Sequence, residues 1–257
     1  MKSENQDNLE NINKIIEKVK NHRRSFIIAA VLAVGGICIA YGFGKVEESV
    51  MTFVPVTEQE KPIIVIDAGH GGIDGGCSAA DGTPEKGINL NILITLRDML
   101  EATGFETDVT RETDTSIHDD GVEGIANQKS SDMDNRLAKF NEHKNAICIS
   151  IHQNQFTDEK YSGAQMFYSS KSSKKSKDLA QNIQDKFVEY LQPDNKREIK
   201  ECGKELFLCY YSENPTVMIE CGFLSNPEEA ARLEDEEYQK KVAFTIYSGI
   251  IESLKKF

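Results

Sequence analysis

The sequence predicts an α/β fold: a mostly parallel twisted sheet of about six strands flanked by helices, preceded by a single N-terminal transmembrane helix. Two observations indicate the sheet. Residues 63–66 (IIVI) form a continuous β-branched run of the kind that is buried on both faces, and later apolar runs alternate with segments of helical spacing. A third observation indicates the membrane helix, because residues 26–43 carry no charge.

With one residue added at each end, this uncharged run reaches roughly 20 residues, or about 30 Å of helix, which spans a bilayer. Basic residues precede it and acidic residues soon follow it, so we expect the N-terminus to stay in the cytoplasm. The predicted organisation is therefore a cytoplasmic segment (1–24), an anchor (25–44), a stalk linker (45–60) and an outward-facing domain (61–257). A cleaved signal peptide is the alternative for 25–44, and both interpretations export the domain.

In the exported domain the pattern alternates regularly after the first strand. Strands are predicted at 105–110, 146–151, 163–168, 204–210 and 216–219. Helices are predicted at 88–100, 132–143, 174–191, 227–233 and 236–256. The polar stretch 111–131 has no periodicity and should be a surface loop, which at that length is usually functional or disordered.

Composition narrows the function classes. The 257-residue chain has a formal net charge of −12, which argues against a nucleic-acid partner because phosphate binding needs clustered cations. Five cysteines follow the predicted anchor, and an odd number cannot all pair within one chain. Cys202 and Cys209 could form a bridge in an oxidising compartment, but their spacing leaves this open. The others are expected to behave as small apolar side chains.

Two histidines and two glutamates stand near predicted strand ends. His70, His152 and Glu220 follow three apolar strands, and Glu85 precedes the first helix in a loop. Because ligand sites of parallel sheets lie beyond the carboxyl ends of the strands, we expect the four to meet. We predict His70, Glu85 and His152 as ligands of Zn²⁺, which accepts imidazole and carboxylate ligands, and Glu220 as the catalytic proton carrier.

Asp67 and Asn154 are candidate partners that orient the two histidines. A water on the metal and one free carboxylate are the parts that hydrolyse a peptide or amide bond.

Four segments resemble a known family. IDAGHGG (66–72), EKGINL (85–90), SIHQN (150–154) and IECGFLSN (219–226) are similar to the zinc-dependent N-acetylmuramoyl-L-alanine amidases called amidase type 3. The resemblance extends over roughly residues 62–257. YSGAQMFY (161–168) and DMDNR (132–136) further resemble the germination-specific, spore-cortex branch.

This resemblance implies a peptidoglycan hydrolase that cleaves the amide between the lactyl group of N-acetylmuramic acid and L-alanine of the stem peptide. It implies zinc ligands at His70, Glu85 and His152 and a general base at Glu220. The spore branch implies action on cortex peptidoglycan before muramic-δ-lactam forms. The expected location is the cell wall or the forespore intermembrane space, on a membrane anchor, or secretion if the N-terminal helix is cleaved. Gly87 and Cys221 depart from the family pattern.

Three alternatives stay open at this point. The chain could be a zinc-holding wall-binding module that is catalytically weak or activated by a regulatory protein partner, and the 111–131 loop leaves room for such a partner. It could also be a vegetative cell-separation amidase. A cysteine hydrolase using Cys221 with His152 is the third alternative.

Overall fold

A computed structural model describes residues 61–171 and 173–255, which form one α/β unit with a six-stranded mixed sheet. Within those two ranges, no helix is long and apolar enough to cross a bilayer. The predicted cytoplasmic segment, anchor and stalk lie outside the described residues, so the membrane helix stays a prediction.

The strands are β1 (Ile63–Ala68), β2 (Thr107–Val109), β3 (Ala146–Asn154), β4 (Gln165–Tyr168), β5 (Lys200–Glu201) and β6 (Thr216–Phe223). The helices are α1 (Glu85–Ala102), α2 (Ile125–Glu142), α3 (Ser173–Tyr190), α4 (Phe207–Tyr211), α5 (Pro227–Leu233) and α6 (Glu236–Leu254). The order along the sheet is β2-β1-β3-β6-β4-β5. Strands β2, β1, β3 and β6 run parallel, whereas β4 pairs antiparallel with β6. The sheet is therefore mixed, and four of its strands account for the predicted parallel character.

The sheet is covered on both faces. On one face, Ile64 and Ile66 belong to a large apolar cluster that includes residues of α1, α3, α5 and α6. On the other face, Val65 and Cys148 pack with Phe140 of α2 and with residues of α4. Alternate residues of the central strands thus point into different layers, which explains why β1 has an uninterrupted apolar sequence.

Two predicted elements differ from the structure. Residues 204–210 are not a strand: the fifth strand is β5, and the apolar run FLCYY forms the short helix α4. A run of that length has no periodicity that separates helix from strand. Helix α2 begins at Ile125 rather than at 132, so the predicted loop is shorter at its C-terminal end. Its first two turns (IANQKSS) are mostly exposed and carry no apolar stripe, which hides the helical period.

Candidate metal centre

The carboxyl ends of three neighbouring strands bring the predicted residues together. His70 lies two positions beyond the end of β1, and His152 lies near the end of β3. His152 is in register with Glu220 of β6, so both side chains lie on the same face of the sheet. The sequence predicts Glu85 in the loop before the first helix, but Glu85 is the first residue of α1.

One donor atom from each of His70, Glu85 and His152 lies within 4.8 Å of the other two. Nε2 of His70 contacts Oε1 of Glu85, and Nδ1 of His152 is 3.4 Å from the same oxygen. The two imidazole rings meet edge to face with centroids 5.0 Å apart. Two imidazole nitrogens and one carboxylate oxygen therefore converge on one point, which is the donor set of a metal site with an open position.

Two glycines make this convergence sterically feasible. A Cβ atom on Gly69 would lie 2.2 Å from Cε1 of His152, so only glycine leaves room for that ring. A Cβ atom on Gly76, where φ is +71°, would lie 2.4 Å from Cγ of Glu85. Glycine at both positions lets the backbone approach the site closely.

His70 itself has a left-handed backbone conformation, with φ of 64°. Such a conformation is uncommon for a residue with a side chain and needs support from its surroundings. Arg136 of α2 supplies part of that support, because its Nη2 donates to the carbonyl oxygen of His70 at 2.8 Å. Its Nη1 donates to the carbonyl oxygen of Ala68 at 2.9 Å.

Arg136 is fully buried and forms ion pairs with Asp67 and Asp132. Asp67 also accepts hydrogen bonds from Thr110 and Ser150, at 2.8 and 2.6 Å. Burial raises the pKa of Asp67, but the charge of Arg136 and these hydrogen bonds outweigh burial and lower it. Asp67 therefore anchors Arg136 below the His70 turn and does not bond either histidine, contrary to the sequence-based suggestion.

The residue that orients His70 is Asp74, which the sequence analysis missed. Oδ2 of Asp74 is 2.8 Å from Nδ1 of His70, and its Oδ1 accepts from Lys129 at the same distance. A carboxylate on the second ring nitrogen fixes the ring and its tautomer, leaving Nε2 to face Glu85. No sequence signal marked Asp74, because His70 and Asp74 lie in a glycine-rich turn where an i,i+4 spacing does not imply contact. The backbone carbonyl of Asn154 accepts from the N–H of Leu224, and the role of its side chain in orienting a histidine stays a prediction.

The loop at 110–124 packs on the His70 turn. Asp114 accepts from the backbone N–H of Gly72 at 2.9 Å and from Lys86 at 2.7 Å. Arg111 is buried and donates to the carbonyl oxygens of Ala68 and Gly69, at 3.0 and 3.2 Å. The turn that carries His70 is thus fixed from the loop side as well as from α2.

Glu85 is 2% exposed, and both of its carboxylate oxygens have partners. Oε2 accepts from the Cys77 thiol at 3.0 Å and from the backbone N–H of Gln153 at 3.2 Å. Burial alone would raise the pKa of Glu85, but hydrogen bonds and charges from His152 and His70 bring it down to about 2. Burial and the charge of Glu85 raise the pKa of the Cys77 thiol well above its ordinary value. Glu85 is therefore an anion beside a protonated thiol.

Glu220 has the opposite surroundings. Its Oε2 is buried and has no hydrogen-bond partner among the described residues. Burial, reinforced by the charge of Glu85, raises the pKa of Glu220 to about 7 against the opposing effect of His152. A carboxyl group with that pKa can both accept and release a proton near neutral pH.

Cys221 points away from this site. It is fully buried in the apolar cluster on the opposite face of the sheet, because neighbouring residues of a strand alternate. Its burial also raises the pKa of its thiol. The position is unsuited to a nucleophile that works with His152.

Comparisons with known proteins agree with these features. Residues 64–252 match the family model described as N-acetylmuramoyl-L-alanine amidase. The chain is 37% identical over 189 residues to the germination-specific N-acetylmuramoyl-L-alanine amidase of Bacillus subtilis (strain 168), covering 74% of this chain and 78% of that protein. It is 25% identical over 232 residues to the N-acetylmuramoyl-L-alanine amidase AmiA of Escherichia coli (strain K12), covering 74% and 75%.

Among solved structures, the CwlD amidase from Clostridioides difficile, determined in complex with the GerS lipoprotein, is similar with a TM-score of 0.73 and 37% identity. That match covers 77% of this chain and all of the other. The family model spans most of the described α/β unit, including all four candidate residues. The chain therefore belongs to the N-acetylmuramoyl-L-alanine amidase family and is a peptidoglycan amidase of that class.

Proposed function

We propose that the chain is a zinc-dependent amidase in which His70, Glu85 and His152 hold the metal and Glu220 moves protons. The observation that supports this most is the convergence of three donor groups within 4.8 Å, with the unbonded oxygen of Glu220 on the adjacent strand. Two imidazoles and a carboxylate are a ligand set that zinc accepts while keeping a position for water. Bound there, zinc would polarise the scissile carbonyl and lower the pKa of a water molecule to about 7.

The protein groups divide the remaining work. Glu220 accepts a proton from the attacking water while the water oxygen adds to the lactyl carbonyl carbon. The carbon–nitrogen bond then breaks, and Glu220 delivers the proton to the departing amine of L-alanine. The pKa of about 7 at Glu220 suits both transfers. Asp74 and Arg136 keep the His70 ring and backbone in place throughout.

The test is hydrolysis of purified muropeptides by the full chain in detergent. We expect free stem peptide with an N-terminal L-alanine, detected by mass spectrometry, with loss of activity after chelation and recovery on adding zinc. Turnover that survives complete chelation would overturn the zinc assignment.

The proposed biological substrate is spore-cortex peptidoglycan, where removal of the stem peptide precedes muramic-δ-lactam formation. The similarity to the germination-specific amidase of Bacillus subtilis supports this setting over vegetative cell separation. Deletion of the gene should remove muramic-δ-lactam from the spore muropeptides. Normal lactam in the spores with a cell-separation defect would instead support the vegetative alternative.

The proposed location is outside the cytoplasmic membrane, on an anchor formed by residues 25–44. Protease added to intact protoplasts should digest residues 61–257 and leave the chain's N-terminus protected. A soluble product beginning after residue 44 would indicate a cleaved signal peptide instead.

A second candidate is an amidase that needs a protein activator. The related CwlD amidase was solved in complex with the GerS lipoprotein, which favours a lipoprotein as the partner. The proposed contact is the loop at 110–124, because Asp114 and Arg111 link it directly to the His70 turn. This candidate predicts zinc binding without turnover by the isolated chain, and turnover on addition of the partner.

A further inference from the structure

The thiol of Cys77 lies against the carboxylate of Glu85, on the side away from the histidines. Its Sγ is 3.0 Å from Oε2 of Glu85 and 3.4 Å from the carbonyl oxygen of Gln153. Among the described residues, the other four cysteines are buried, whereas Cys77 is partly exposed. Cys77 therefore differs from them in its exposure, and its thiol bonds a candidate metal ligand directly.

The two oxygens of Glu85 have separate tasks. Oε1 faces Nε2 of His70 and Nδ1 of His152. Oε2 faces the opposite way and accepts from the Cys77 thiol and the Gln153 backbone N–H. A carboxylate can rotate about its last bond and exchange its oxygens. Donors on Oε2 oppose that rotation and keep Oε1 directed at the histidines.

The backbone of the Cys77 turn is held independently of its side chain. The carbonyl oxygen of Cys77 accepts the first N–H of α1, from Glu85, at 2.9 Å. The carbonyl oxygen of Gly75 accepts from the next N–H, that of Lys86, at 3.3 Å. Any residue at position 77 keeps these bonds, whereas the donor to Oε2 depends on the side chain. The two contributions can therefore be separated by substitution.

We propose that Cys77 is a positioning residue whose thiol donates to Oε2 of Glu85, keeps Oε1 directed at His70 and His152, and thereby raises the affinity of the centre for zinc. This inference rests on the proposed role of these three residues as zinc ligands. It assigns a role to a side chain that neither binds the metal nor touches the reacting bond.

The test compares zinc dissociation constants of the full chain, measured by competition with a chromogenic chelator. Loss of an outer hydrogen-bond partner weakens metal binding by about 10- to 100-fold, and the Gln153 N–H remains, so we expect about tenfold for Cys77→Ala. Cys77→Ser keeps a donor and should lie within about threefold of wild type. Cys202→Ala, at a buried cysteine outside the site, is the matched control and should leave the constant unchanged.

The outcomes distinguish failure of the positioning role from failure of the metal centre. If His70→Ala abolishes zinc binding while Cys77→Ala binds zinc as wild type does, the positioning role is overturned and the metal centre stands. Equal weakening in Cys77→Ala and Cys77→Ser would also overturn it, because donation would then be irrelevant. If His70→Ala binds zinc normally, the proposed centre fails and this inference fails with it. Thermal unfolding of the zinc-free variants checks that each is folded.

Discussion

The β1 side and the β6 side of the candidate centre carry similar groups in very different surroundings. On the β1 side, His70 is bonded by Asp74 and Arg136, and both oxygens of Glu85 have partners. On the β6 side, Glu220 has a buried oxygen without a hydrogen-bond partner among the described residues. Both glutamates interact with His152, yet the pKa of one falls to about 2 and that of the other rises to about 7.

This contrast separates positioning from reactivity. A carboxylate that must stay ionised and fixed benefits from many donors, whereas one that must take up and release a proton benefits from few. Two carboxyl groups whose surroundings push their pKa values apart are the usual arrangement for an acid–base group beside a permanently charged one. The structure thus distinguishes the proposed ligand from the proposed base, which residue type alone does not.

The largest effect should come from substituting one residue on each side of the centre in turn. His70→Ala removes a ligand from the β1 side, so we expect loss of both zinc and turnover. Glu220→Ala removes the proton carrier from the β6 side and no ligand, so zinc should stay bound while kcat falls by about 100- to 10,000-fold. Metal content by atomic emission and stem-peptide release are the measurements.

The matched control for this pair is Glu213→Ala, an exposed glutamate beyond the other end of β6, which should change neither quantity. Full activity in Glu220→Ala would show that the proton carrier lies elsewhere. Loss of zinc in Glu220→Ala would show that Glu220 also helps to hold the metal.

A smaller effect is expected from the buried ion network below the β1 side. Arg136→Met leaves Asp67 buried without its cation, and removing one partner of a buried pair destabilises a protein by about 3–5 kcal/mol. Zinc affinity should fall as well, because the His70 carbonyl loses its donor. Urea unfolding of the zinc-free and zinc-loaded chain measures both.

Arg136→Lys serves as the comparison, since lysine keeps the charge but not the planar fork that reaches Asp67, Asp132 and the backbone together. We expect Arg136→Lys to lose less stability than Arg136→Met and still to bind zinc more weakly than wild type. Unchanged unfolding in Arg136→Met would show that the network does not support the His70 turn.

The same contrast explains which parts of the site the sequence could predict. His70 lies just beyond β1, as predicted. His152 and Glu220 were predicted to follow their strands but lie inside β3 and β6, because these strands extend past the apolar runs that predict them. The supporting contacts were not predicted, because Arg136 and Asp67 are 69 positions apart and only the fold brings them together. Cys77 and Glu85 are close in sequence, but no periodicity marks a thiol as a donor to a carboxylate.

The fold shows a parallel division. Long elements with a clear period, such as α1, α3 and α6, were predicted with small errors at their ends. The direction of β4 was not predicted, because strand direction depends on which neighbour a strand pairs with and not on its own residues. The strand predicted at 204–210 was wrong because its short apolar run suits a one-turn helix as well as a strand.

The smallest effect is expected at Cys221, the neighbour of Glu220 on the same strand. If reactivity belongs to the face that carries Glu220, then Cys221, which packs in the apolar core of the other face, should be dispensable for chemistry. We expect Cys221→Ala to retain zinc and to keep kcat within about twofold, with a loss of stability of about 0.5–3 kcal/mol from the smaller side chain. Stem-peptide release and urea unfolding, measured on the same preparation, separate these effects. A fall in kcat as large as that of Glu220→Ala, in a variant that stays folded and holds zinc, would favour a cysteine nucleophile and reverse the assignment of the β6 side.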